Sequence, residues 1–144
     1  TKLKEQAAQR RLAYKGKKQG QLPWPVQGTL VQRFGAAQGG QATASGVVIQ
    51  AGNGQPVRAI ADGQVIYADW LRGYGWVIVL DHGNGLMSLY GHNQSLLKSP
   101  GDVVRTGDHV ALVGQSGGKE RSGLYFEIRQ KGAAVDPLRW LRNP

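Results

Sequence analysis

The chain has 144 residues, and the absence of cysteine excludes disulfides, Cys-ligated zinc and thiol catalysis. It contains 22 glycines, which argues against an all-helical protein because glycine averages about 7% of residues. Eighteen Lys and Arg against nine Asp and Glu give a net charge of +9, and no apolar run approaches the ~18–20 residues of a membrane-spanning helix.

The first 18 residues hold most of the excess charge, with seven Lys and Arg against Glu5 alone, a net charge of +6. Such a tail can bind nucleic acid or an anionic membrane, but residues 3–14 contain good helix formers and neither Gly nor Pro. We therefore interpret residues 1–20 as the solvated end of an upstream coiled-coil helix and its linker. Because the chain starts without Met or a signal peptide, we expect it to be a fragment of a longer protein.

Residues 21–144 show a different pattern, in which short runs of β-type residues alternate with turns. Pro23-Trp24-Pro25 leads into this second unit, and residues 36–44 are expected to form a loop. Asp62-Gly63 is typical of a hairpin turn, and so is the turn signal of residues 82–85. The expected strands are residues 29–34, 46–49, 56–60, 64–68, 76–80, 86–92, 109–113 and 124–129. This spacing predicts an all-β fold, an antiparallel sandwich or barrel with a short N-terminal helical lead-in.

Several motifs, in this order, resemble those of the lysostaphin-type (LytM) zinc endopeptidases. The motifs are Gly54-Gln55-Pro56-Val57, Ala61-Asp62-Gly63-Gln64-Val65, Gly73-Tyr74-Gly75, residues 81–85, Tyr90-Gly91-His92 and Leu124-Tyr125-Phe126-Glu127-Ile128-Arg129. The resemblance runs from about residue 24 to 141. It implies a LytM domain at residues 21–144, built on an antiparallel sheet whose groove in active members holds one zinc ion and cleaves cell-wall peptides.

The zinc ligands of that family are missing at the matching positions. The motif His-x-Gly-x-Asp, which supplies two ligands, is replaced by Ala44-Ser45-Gly46-Val47-Val48, and the motif His-x-His by Gly123-Leu124-Tyr125. Methyl and isopropyl groups offer no lone pair, and a phenol binds zinc only after losing a proton of pKa ~10. Of the residues that the family uses for catalysis, only His92 remains, in the motif Tyr90-Gly91-His92. The resemblance therefore implies a pseudoenzyme without catalytic residues, metal or any other cofactor.

The other titratable residues do not suggest a substitute site. His82 lies in a turn signal, where packing or turn hydrogen bonding is expected, and His109 begins a strand where we expect it to be exposed. The aspartates occur mostly at turns, where Asp bonds to the backbone, so a carboxylate pair for glycan hydrolysis is not favoured. No nucleophile elbow, phosphate loop or dinucleotide fingerprint is present.

Degenerate members of the family imply a different role. The resemblance implies a periplasmic protein at the division septum of a Gram-negative bacterium that activates zinc-dependent N-acetylmuramoyl-L-alanine amidases. The upstream coiled coil would link it to the FtsE–FtsX complex; peptidoglycan is a further possible partner, and nucleic acid is not expected. The alternatives are a catalytically dead peptidoglycan-binding module and a residual hydrolase.

The former active-site groove would then bind an amphipathic helix of the amidase, since aromatic residues and Arg anchor interfaces. We expect Val48 to point into this groove, Ala44 to share its side by strand alternation and Tyr125 to close the opposite wall. Arg129, at a strand end, is expected to pair with an acidic residue of the partner. The expected partner-binding residues are Ser45, Val48, Tyr74, Trp76, Val77, Tyr125 and Arg129.

Overall fold

A computed structural model describes residues 19–37 and 43–144 of the chain. All but the last two residues of the helical lead-in and linker expected over residues 1–20 lie outside these ranges, and so does the centre of the loop expected over residues 36–44. Within them, no helix has the length and apolarity needed to cross a membrane.

Among the described residues, every pairing between strands is antiparallel, as the sequence predicts. The strands are β1 (Thr29–Gln32), β2 (Val47–Gln50), β3 (Pro56–Arg58), β4 (Gly63–Leu71), β5 (Gly75–Gly83), β6 (Leu86–Leu96), β7 (Val103–Val104), β8 (His109–Val113), β9 (Gly123–Gln130) and β10 (Ala133–Val135). A single 3₁₀ turn, Pro137–Arg139, follows β10; Asp136 caps it by accepting a hydrogen bond from the Leu138 N–H. The sequence did not predict the short strands β7 and β10.

The main sheet has the strand order β1-β2-β9-β6-β5-β4-β7, with β10 beside β9 and β3 beside β8. Alternate residues of the long strands face a core that includes Tyr90 and Phe126, whose ring centroids lie 5.3 Å apart. The hairpin predicted for residues 82–85 is confirmed, because β5 pairs with β6 across it. Asn84, with φ of 53°, takes the left-handed conformation that this turn requires.

The prediction of a hairpin at Asp62-Gly63 is wrong. β3 pairs with β8, whereas β4 pairs with β5 and β7, so the strands on either side of this turn do not pair with each other. The Asp62 carboxylate instead accepts hydrogen bonds from the N–H and hydroxyl of Thr106. Asp62 therefore fixes a connection between two parts of the sheet.

His82 is completely buried and belongs to a polar network inside the core. Its Nδ1 lies 2.8 Å from the carbonyl oxygen of Asp62, and its Nε2 lies 2.7 Å from the hydroxyl of Ser88, which also contacts the Tyr90 hydroxyl. Burial lowers the pKa of His82. The expectation that His82 packs and hydrogen-bonds is confirmed, and His109 is exposed as expected.

β6 changes its partner halfway along, and this change opens the site described next. Residues up to Gly91 pair with β9, whereas Asn93 and the residues after it pair with β8. His92 lies between the two registers with φ of 61°, a left-handed conformation that is rare outside glycine. β8 and β9 therefore separate at His92, and the loop of residues 114–122 connects them.

Candidate functional site

Two adjoining cavities lie where β8 and β9 separate, and together they form the groove. One has a volume of about 260 Å³ and the other about 300 Å³, and Val48, His92 and Lys119 line both. The first is also lined by Val31, Gln50, Arg121, Ser122 and Gly123. The second is also lined by Gln32, Thr43, Ala44, Ser45, Gly73, Tyr74 and Tyr125.

All four positions that correspond to lost family motifs line this groove. Val48 is half-buried on β2 and lies directly opposite Tyr125 on β9 in the strand register. The two side chains are thus cross-strand neighbours, and the expectation that Tyr125 closes the opposite wall is wrong. Ala44 lines the same cavity as Val48, but it precedes β2, so strand alternation is not the reason.

Three aromatic rings form one side of the second cavity. The ring centroid of Tyr74 lies 4.9 Å from that of Tyr125 and 6.3 Å from that of His92. Two hydrogen bonds of 2.7 Å hold His92 in its strained conformation, one from its N–H to the Tyr74 carbonyl and one between its Nδ1 and the Ser116 carbonyl. A carbonyl only accepts, so the proton lies on Nδ1 in the neutral ring. Burial, together with the charge of Lys119, lowers the pKa of His92 and favours that neutral form.

The hydroxyl of Tyr125 is already used inside the protein. It donates a hydrogen bond of 2.5 Å to Glu127, whose other carboxylate oxygen accepts one of 2.8 Å from Nε of Arg129. Positions 125, 127 and 129 alternate along β9 and so share one face. Glu127 is 3% exposed, and these two donors satisfy its buried charge. Burial and the neighbouring Glu127 raise the pKa of Tyr125.

These residues do not fit a zinc ion. Ala44 and Val48 carry no donor atom, and a phenol with a raised pKa that donates to a carboxylate is a poor ligand. The retained His92 would be a single imidazole. Within residues 19–37 and 43–144, no group of three His, Asp or Glu is placed to hold a metal ion. The residues that line the groove therefore do not supply the set of donor atoms that a zinc ion needs.

Three of the seven expected partner-binding residues are not in the groove. Val77 is completely buried, so a partner cannot reach its side chain. Trp76 is exposed but lines neither cavity, and its ring packs edge-on against Trp70 at 5.4 Å between centroids. Arg129 also lines neither cavity; its guanidinium is held by Glu127 rather than free for an acidic partner.

The sequence analysis missed the cations of the groove. Lys119 and Arg121 are exposed on the loop of residues 114–122, and no Asp or Glu is among the residues that line the two cavities. Two contacts fix this loop: a β-bridge joins Gly114 to Gly123, and the Ser116 side-chain hydroxyl accepts a hydrogen bond from the Trp76 N–H. Three glycines, at positions 114, 117 and 118, are the local sequence signal for a loop here.

Comparisons with known proteins agree with this geometry. A model of peptidase family M23 matches residues 42–137. Murein hydrolase activator EnvC of Escherichia coli (strain K12) is 55% identical over 126 residues, 88% of this chain and 30% of EnvC. Murein hydrolase activator NlpD of the same strain is 41% identical over 119 residues, 82% of this chain and 30% of NlpD. The chain thus spans about 30% of the length of these relatives.

The fold is also found among solved structures. The antimicrobial peptidase lysostaphin from Staphylococcus simulans superposes with a TM-score of 0.75 at 23% identity, covering 88% of this chain and 54% of lysostaphin. At this identity the likeness shows the fold alone. The antiparallel LytM architecture expected from the sequence is confirmed.

Proposed function

Because the chain belongs to peptidase family M23 and yet has no zinc donors at the ligand positions, we propose that it is a non-catalytic activator of zinc-dependent N-acetylmuramoyl-L-alanine amidases. It binds a helix of the amidase in the groove. The observation that carries this proposal is the groove floor, where Val48 and Tyr125 stand at the ligand positions and the Tyr125 hydroxyl is hydrogen-bonded to Glu127 inside the protein. The two relatives named as murein hydrolase activators support it.

The shape of the groove suits a helix. Of the two cavities beside Val48 and His92, the one that Val31 lines is mainly apolar and can receive an apolar side chain, as in helix-in-groove recognition. The one that Tyr74 lines is mainly polar and suits a polar side chain of the helix. The half-buried ring of Tyr74 provides an aromatic contact surface at low entropic cost. Lys119 and Arg121 at the rim favour a helix that carries acidic residues.

Activation follows from competition. If the amidase is held inactive by its own helix, a groove that binds the released helix shifts the population towards the open enzyme. No bond is made or broken in this protein. We place the protein in the periplasm at the division septum, joined through an upstream coiled coil to the FtsE–FtsX complex.

A Val48→Glu variant tests the groove. A carboxylate there would become buried and unpaired in the complex, so binding of the amidase should weaken at least about thirtyfold, or ~2 kcal/mol. In the free protein the half-buried position allows hydration, and the melting temperature should change little. The matched control is Val103→Glu, an exposed valine on β7 outside the groove. Binding is measured with purified amidase, and activation by dye release from labelled sacculi.

Three outcomes separate the candidate functions. Loss of binding and activation by Val48→Glu alone supports the proposal. Equal binding by both variants refutes the groove as interface and favours the peptidoglycan-binding alternative. Dye release by the protein without amidase, abolished by a chelator, would instead show a residual hydrolase.

A further inference from the structure

A second concave surface lies away from the groove and shares no lining residue with it. This cleft, which we name the arginine cleft, has a volume of about 780 Å³ and is lined by Arg33, Arg58, Arg142 and Trp24, together with apolar residues that include Leu30 and Leu138. A volume of this size is typical of sites for extended small ligands or short peptides.

The three arginines come from separate parts of the chain. Arg33 follows β1, Arg58 ends β3, and Arg142 follows the 3₁₀ turn. Two backbone hydrogen bonds hold the walls together, from Arg58 N–H to the Pro25 carbonyl and from Arg142 N–H to the Leu22 carbonyl. A third bond runs from the indole N–H of the Trp24 side chain to the Arg142 carbonyl. The cleft is therefore built by the fold, and the guanidinium groups play no part in these bonds.

Within residues 19–37 and 43–144, no ion pair with an acidic side chain balances these charges. The lining of the arginine cleft contains no Asp or Glu, and the two salt bridges among the described residues, Arg105–Asp62 and Arg129–Glu127, lie elsewhere. Asp136, close in sequence to the cleft, uses its carboxylate to cap the 3₁₀ turn. The lead-in that precedes the cleft has a net charge of +6 over 18 residues, so it cannot neutralise the cleft either.

We propose that the arginine cleft binds a peptide that carries several carboxylates. Like charges placed around one concave surface with apolar walls focus a positive potential and attract anions. The planar fork of arginine matches a carboxylate through two hydrogen bonds, and Trp24, Leu30 and Leu138 accommodate the apolar parts of a peptide. Stem peptides of peptidoglycan present such carboxylates. This choice of source rests on the proposed function, whereas the carboxylate chemistry rests on the cleft alone.

The test is co-sedimentation of the protein with purified sacculi. The variant Arg33→Gln/Arg58→Gln/Arg142→Gln keeps the backbone hydrogen bonds of the cleft. The matched control Arg72→Gln/Lys98→Gln/Lys131→Gln removes the same charge outside both the cleft and the groove. We expect affinity for sacculi to fall at least about tenfold in the cleft variant and less than about twofold in the control. Both variants retain the basic lead-in, so it contributes equally to the sacculus affinity of each.

Two further arms identify the chemistry. Sacculi whose carboxyl groups have been converted to neutral amides should no longer bind the parent protein, and phosphatidylglycerol vesicles should bind all three proteins alike. The proposal is overturned if the cleft variant binds sacculi as the control does, or if amidated sacculi bind equally well. It is also overturned if the parent sediments with vesicles but not with sacculi.

The same proteins distinguish this proposal from the proposed function. The cleft variant should bind the amidase normally, whereas Val48→Glu should sediment with sacculi normally and fail to bind the amidase. Circular dichroism melting checks that each variant is folded. A cleft variant that melts early is replaced by the three single substitutions, each of which should weaken sacculus binding.

Discussion

Removing the positive charge of Arg129 should destabilise the fold, because Arg129 neutralises a carboxylate that is 3% exposed. Breaking a buried ion pair costs about 3–5 kcal/mol, whereas exposed pairs contribute about 0–1 kcal/mol. Arg129 is itself 38% exposed, and water can partly replace it, so an intermediate cost applies. We expect Arg129→Gln to lower the free energy of unfolding by ~2 kcal/mol. Arg129→Glu should cost ~3 kcal/mol, since it adds repulsion to Glu127.

Urea denaturation of a double-mutant cycle measures this effect directly. In a Glu127→Gln background the carboxylate is gone, so Arg129→Gln should cost less than ~0.5 kcal/mol. In the parent background, ~2 kcal/mol corresponds to a melting temperature about 6–10 °C lower for a domain of this size. If the free energy of unfolding of Arg129→Glu lies within ~0.5 kcal/mol of the parent value, the pair does not stabilise the sheet and the reasoning is refuted.

Two other predictions test the core. Burial lowers the pKa of His82, so below pH ~6.5 the unfolded chain binds a proton that the folded state excludes. The free energy of unfolding should therefore decrease as the pH is lowered from 7 to 5. His82→Gln should flatten this pH dependence. A Cβ on Gly46 would lie 2.4 Å from the Phe126 carbonyl oxygen, so Gly46→Ala should cost ~2 kcal/mol in urea denaturation. Gly52→Ala, which meets only the flexible Gln55 side chain at 3.3 Å, should cost far less and serves as control.

The strands were predictable because alternation and turn residues are local signals. Every long strand of the structure matches an expected run, whereas β7, with two residues, is too short to show a pattern. The failure at Asp62-Gly63 has a definite cause. A turn dipeptide fixes the local chain reversal, but which strand pairs with which depends on distant residues such as Thr106, to which Asp62 bonds.

In the site, too, local motifs could be assigned from the sequence, whereas contacts between distant residues could not. A motif frame assigns Ala44, Val48 and Tyr125 to the groove, and the structure brings them together there. The frame cannot show that Arg129 is already paired, although positions 125, 127 and 129 alternate along one strand and share a face, so a contact was foreseeable. Lys119 could not be assigned in this way, because the path of a glycine-rich loop is set by tertiary bonds such as the one that joins Ser116 to Trp76.

The groove can lose its metal ligands without closing, because its shape does not depend on them. It opens where β6 exchanges β9 for β8, and hydrogen bonds from His92 to Tyr74 and Ser116 hold that point. An unliganded carboxylate at position 48 would be desolvated by any apolar helix, at a cost of several kcal/mol. Val48 removes that cost, and the Tyr125 hydroxyl donates a hydrogen bond to the buried Glu127 carboxylate. The substitutions that remove zinc chemistry are therefore the same ones that make the groove floor suitable for an apolar anchor.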